Sequence, residues 1–172
     1  MLVTTLNKIR KRNPTKYNWK LLLSYLGKTG ADDEPLPFSV IVEATDIEFA
    51  LWCCRSAPEY NKEWRLFAVW CARRVQHLMK DKRLIDCIDV AERFANGEVD
   101  RFELAKARNS VRNDAFGLES YKEYDVAWNT ARNSASSSAY YSALLSSGIM
   151  ESNAARHEAW GAQKEQFLKI AG

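Results

Sequence analysis

The sequence predicts an all-α protein, a single-domain bundle of about seven or eight helices, and three observations carry that reading. Apolar residues recur at helical spacing along most of the 172 residues. Capping residues and Gly or Pro stops separate these stretches. The composition is globular, with 47% hydrophobic and 27% charged residues and 20 aromatic rings from six Trp, seven Tyr and seven Phe, so a single core can form without disulfide or metal staples. Stacked helical hairpins are an alternative arrangement of the same elements. One helical domain is expected over 1–172, with a loop at about 27–38 and a small-residue-rich helical tail at about 118–172.

Residues 2–12 pair Leu2, Leu6 and Ile9 with Lys8, Arg10, Lys11 and Arg12, which predicts a short amphipathic helix ended by Asn13-Pro14. Thr15 then caps a helix to about Leu26, where Gly27 or Gly30 stops it. The following GADDEPLPF, with paired Asp and two Pro, is the clearest loop and the best candidate for a mobile segment. Ser39–Glu43 fits one capped helical turn or a short strand, and helix is preferred. Thr45 and Glu48, with Asp46 beside them, form a capping box before Ile47–Cys54, and Pro58 closes that helix.

Residues 61–79 make the most hydrophobic helix, apolar around most of its circumference, which places it in the middle of a bundle. Asp81 starts the next helix and Asn96-Gly97 ends it. Asp100 and Glu103 cap another to about Phe116. From residue 118 the chain turns to Ser and Ala, yet Tyr121, Tyr124, Trp128, Ala131, Tyr140 and Leu144 sustain helical periodicity. A long helix with a small-residue face is expected there, able to pack closely within the chain or in a homo-oligomer. A last helix runs from about Met150 to Ile170.

Net charge is only +3, short of the field expected of a dedicated nucleic-acid binder. The four cysteines, at 53, 54, 71 and 87, lie in helix-patterned sequence without a C-x-x-C pair. Buried thiols in a reducing cytoplasm are expected. No signal-peptide-like run and no apolar span of membrane length occur in the sequence, so neither export nor membrane insertion is indicated.

Candidate chemistry centres on one helix. Trp70, Arg73, Arg74 and His77 form a cationic, aromatic-flanked strip that suits a phosphate or carboxylate. The competing reading makes Arg73 and Arg74 ion-pair partners of carboxylates such as Asp46, Glu48, Asp86 or Asp89. Arg108 and Arg112 are the further candidates for ligand binding. No metal site is expected, because His77 and His157 offer neither HExxH nor a zinc knuckle. The sequence holds no Gly-rich phosphate loop or G-x-S-x-G element, so no cofactor and no catalytic residues are expected. The basic cluster Lys8, Arg10, Lys11, Arg12 and Lys16, followed by Tyr17 and Trp19, fits phosphate contacts with base stacking, but reads first as the solvated face of an end helix. Trp52, Trp64, Trp70, Tyr121, Tyr124, Trp128, Tyr140 and Tyr141 are assigned mostly to the core, and any that cluster at the surface would mark a binding patch.

Three stretches carry a resemblance: ALWCCR at 50–55, RLFAVWCARRVQHLM at 65–79 and AERFANGE at 91–98. The region of about 35–112 resembles a family of uncharacterised helical proteins of bacteriophage genomes, and the second half is similar to helical immunity proteins of the Imm-5-like kind. The tail departs from that pattern, with Ser in place of much Ala. The resemblance implies phage origin and a helical fold, and carries over no catalytic residue. In that context the expectation is a non-enzymatic accessory protein in the host cytoplasm. It would counter bacterial defence by stoichiometric binding of a defence protein or an anionic signalling nucleotide. The alternatives are an immunity-type protein that binds a cognate toxin, and a virion or scaffold component.

Overall fold

A computed structural model describes residues 1–74, 76, 82–112 and 149–172. Among the described residues there are eight α-helices and a single pair of two-residue strands, an all-α multi-helix fold. The chain divides into two compact units, Met1–Tyr60 with Trp160–Gly172, and Asn61–Ala159.

In the first unit, strand β1 (Val3–Thr4) runs antiparallel to β2 (Leu36–Pro37), with Val3 opposite Pro37 and Thr4 opposite Leu36. Residues 2–12 do not form the single helix that their amphipathic pattern predicts. Instead Thr5 is extended and its hydroxyl accepts the Lys8 amide, so helix α1 is confined to Leu6–Arg10. The β-branched run Val3-Thr4-Thr5 suits a strand better than a helix start. Asn13, at φ 57°, adopts the left-handed conformation that Asn tolerates and turns the chain into Pro14.

Thr15 caps α2 (Lys16–Tyr25) by accepting the Asn18 amide. Gly27, at φ 64°, ends it in a Schellman turn, its amide donating to Ser24 O at 3.2 Å while Lys28 N donates to Leu23 O at 2.9 Å. The 27–38 loop is tied at several points. Lys28 Nζ bonds both Asp32 and Glu34 at 2.5 Å, and Asn7 donates to Asp33 at 2.9 Å. The loop ends early, because Leu36 and Pro37 form β2 and Phe38 begins α3 (Phe38–Ala44).

The expected capping box between α3 and α4 (Ile47–Cys53) is resolved in favour of Asp46. Its Oδ1 accepts the Phe49 amide at 2.7 Å, whereas Thr45 donates its hydroxyl back to Ile41 O at 2.6 Å. Two 3₁₀ turns, Cys54–Ser56 and Pro58–Tyr60, follow. The core of this unit gathers Leu6, Ile9, Leu22, Phe38, Ile41, Phe49, Ala50, Cys53 and Phe167, all buried. Ser56 donates to Cys53 O at 2.6 Å, leaving Thr4 as donor in the buried 2.7 Å bond to the Ser56 hydroxyl.

The C-terminal part of helix α8 (Ile149–Ala171) completes the unit. Phe167 meets Phe38 edge to face, with centroids 6.3 Å apart and planes at 76°, and Ala171 O accepts the Leu2 amide at 2.7 Å.

In the second unit, α5 (Asn61–Arg74) buries Trp64, Phe67, Ala68, Val69, Cys71 and Ala72, as its near-continuous apolar surface predicts. Helix α6 (Lys82–Ala95) packs on both α5 and α7 (Arg101–Arg112). Arg65 lies over the Phe94 ring at 4.6 Å, and Arg73 pairs with Asp89 and Glu92, so α5 and α6 run antiparallel. Arg83 donates to Ser110 O and Arg93 pairs with Glu103, which sets α7 antiparallel to α6. Gly97, at φ 78°, closes α6, and Asp100 Oδ1 caps α7 through the Glu103 amide at 2.9 Å. The expected helix start at Asp81, the α5 extension over 75 and 77–79, and the 118–148 part of the tail lie outside the described residues.

Candidate functional site

The cationic strip on α5 is largely spoken for. Arg73 Nη1 lies 2.8 Å from Asp89 Oδ1 and donates to Gln76 Oε1 at 2.8 Å, while Nη2 lies 2.5 Å from Glu92 Oε2. Asp89 and Glu92 stand three apart on α6 and therefore present one face. Both outer nitrogens of the guanidinium fork are thus occupied. The bond to Glu92, with Asp89 adding to it, holds Arg73 more firmly charged than an ordinary arginine, against a smaller effect of burial.

Arg74 is exposed and lies over Trp70, 5.2 Å from its ring, and Trp70 in turn stacks on Phe67 at 6.3 Å. The structure therefore brings Trp70 and Arg74 together and points Arg73 into the α5–α6 pairing. His77 lies outside the described residues. Arg108 and Arg112 are on α7, the helix beyond α6, and their side chains also lie outside the described part.

All four cysteines are thiols. Cys53, Cys54 and Cys71 are buried and Cys87 is half-buried. Burial pushes Cys53 and Cys54 well above the ordinary thiol range and Cys71 up to about 12, the reverse of what activates a nucleophile. Among the described residues, no three His, Cys, Asp or Glu side chains group so as to hold a metal ion. No helix there is long and apolar enough to cross a membrane.

Helix α2 carries a feature that its sequence pattern alone does not reveal. Tyr17, Leu21 and Tyr25 are 76%, 38% and 53% exposed, respectively. Spaced four apart, they form one row along the helix. Leu22 is the one residue of α2 that is fully buried. At about 100° per residue, Lys20, Ser24, Tyr17, Leu21 and Tyr25 share one outward arc, with Lys16 at its margin, and all six are exposed. Trp19 is half-buried, with the Arg10 guanidinium 5.3 Å from its ring, and the Tyr25 hydroxyl donates to Glu43 at 3.4 Å.

This apolar row stands in a cationic setting. Seven of the chain's 25 Lys and Arg residues, and none of its 22 carboxylates, fall within the first 31 residues. The remaining residues carry 18 cations against 22 carboxylates, so the small net charge conceals a marked asymmetry. Just before α2 in the chain, Lys8, Lys11 and Arg12 line an open cleft of about 500 Å³ together with Ser56, Pro58 and Glu59. Within it Lys8 bonds Glu59 at 2.8 Å, which holds the Glu59 carboxyl below its ordinary value against a smaller opposing effect of burial.

The fold and this surface define an all-helical protein with an exposed, cation-flanked apolar face. Comparison of the chain with protein-family models, with curated proteins and with solved structures gives no match in any of the three.

Proposed function

We propose that this chain is a non-enzymatic binding protein that acts stoichiometrically on a protein partner, in the phage accessory role of occluding a bacterial defence protein. One observation carries the protein-binding part: the exposed Tyr17–Leu21–Tyr25 row of α2. Aromatic side chains among cations are the usual composition of interface hot spots, and a helix that turns three large apolar residues outward gains most by covering them. The anti-defence setting rests on the resemblance to phage proteins alone.

Sequestration of a signalling nucleotide draws less support. Arg73, one of the candidates for phosphate recognition, already satisfies two carboxylates, and a phosphate there would have to displace both. Binding of a cognate toxin would use the same kind of face and differs only in the partner's identity.

The test is native mass spectrometry of the protein purified gently from defence-active host cells, alongside a Leu21→Glu variant. The expected result is a stoichiometric protein partner with the wild type and its loss with the variant. A nucleotide retained by both forms, or large homo-oligomers without a partner, would overturn the reading.

A further inference from the structure

We infer that the α2 face docks an acidic amphipathic helix of the partner protein, its apolar ridge against Tyr17, Leu21 and Tyr25 and its carboxylates against Lys16, Lys20 and Lys11. This rests on the binding-protein reading and adds the chemistry of what is bound.

Charge complementarity names the occupant. The segment from Lys8 to Lys20 holds six cations and no carboxylate, and Lys11, Lys16 and Lys20 are exposed. The N-terminus of α2 adds the positive end of its dipole to that field, with no acidic residue in its first turn to offset it.

Geometry selects a helix. The backbone of α2 is bonded within the helix, so this face offers no free ladder for an added strand, and recognition must run through side chains. From Tyr17 to Tyr25 the row extends for about 12 Å, at 1.5 Å per residue. That length matches a little over two turns of an opposing helix packed ridge into groove.

A polyanion fits less well. The exposed Glu43 carboxylate stands beside the Tyr25 hydroxyl at the far end of the row, where a continuous phosphate backbone or an anionic bilayer would meet repulsion. Discrete carboxylates on a helix need engage only the cationic end. The Arg10 guanidinium and the Trp19 ring are also engaged with each other, which leaves that ring less open for base stacking.

Glu59 gives the surface an internal competitor. It sits in the cleft bonded to Lys8, in the position an incoming carboxylate would take. Glu59→Gln therefore releases a cation to the partner and tightens binding.

The experiment uses the isotope-labelled full chain titrated, in NMR, with a synthetic 18-residue helical peptide bearing Leu on one face and Glu on the other. A 12-nucleotide dT oligomer and phosphatidylglycerol vesicles run in parallel. Expected are shift changes concentrated at residues 8–25 with the peptide, weakened about tenfold by the double reversal Lys16→Glu with Lys20→Glu, and strengthened severalfold by Glu59→Gln. Circular dichroism of each variant confirms its fold. Three results would overturn the inference: no response to the peptide, tighter binding of the oligomer or vesicles at the same residues, or peptide binding indifferent to the Lys16 and Lys20 reversal. A partner captured in cells and lost with Leu21→Glu, yet indifferent to the lysine reversal, would leave the binding-protein reading standing and sink this one.

Discussion

The contact between Phe38 and Phe167 makes the sharpest quantitative demand on the structure. Both rings are 0% exposed, and they meet edge to face with centroids 6.3 Å apart. Truncating Phe167 to Ala removes the ring and leaves a cavity, at a cost of about 3–5 kcal/mol. For a chain of this size each kcal/mol lowers Tm by about 2–4 °C, so the fall is roughly 6–20 °C. Truncation alone does not show that the rings interact. Replacing each by Leu keeps most of the apolar volume while removing the aromatic geometry, at about 1.5 kcal/mol or less for each change. The favourable edge-to-face term, about 0.5–1.5 kcal/mol, then appears as coupling: the double variant Phe38→Leu with Phe167→Leu loses less than the sum of the singles. Urea unfolding followed by circular dichroism and tryptophan fluorescence measures all four forms. Additivity within about 0.3 kcal/mol would refute the edge-to-face contact of the two rings.

The remaining predictions concern the thiols and the α4 cap. A water-soluble thiol reagent is expected to label Cys87 first in the native protein and all four cysteines after denaturation. The three buried thiols, Cys71 among them with its pKa pushed up to about 12 from an ordinary 9.0, stabilise the fold fully below pH 9 and lose that contribution as pH rises towards 12; fast labelling of three or four native thiols, or a Tm that climbs from pH 8 to 10, would contradict this. Asp46→Ala is expected to cost about 1 kcal/mol by removing the α4 cap, while Thr45→Ala leaves the Phe49 amide bonded; equal amide-exchange protection of Phe49 in both variants would show the cap assigned to the wrong residue.

What was legible in the sequence was local. Thr15 and Gly27 bracket α2 because each acts within one turn of itself, and the same holds for Asp100 and Gly97. The strand pair was not legible, since a two-residue ladder draws its stability from a partner more than 30 positions away. The ion pair of Arg73 was half legible: Asp89 was among the expected partners, whereas Glu92, one turn along the same face, was not. The α2 row was hidden for a different reason. That helix has apolar residues around most of its circumference, and only the burial of Leu22 shows which side faces in. Its four-residue spacing was readable, but its direction was not.

The first unit is built from segments that are synthesised far apart in time. Residues 1–60 leave the ribosome long before Phe167 and Ala171, which fill and tie the core they form. At about 5–20 residues per second, that core waits on the order of 5–20 s for its last ring. During the interval the apolar face of Phe38 is uncovered, and closure then depends on a long loop rather than on neighbours. A nascent chain stalled before residue 160 would present Phe38, together with the α2 row, to whatever chaperone is at hand.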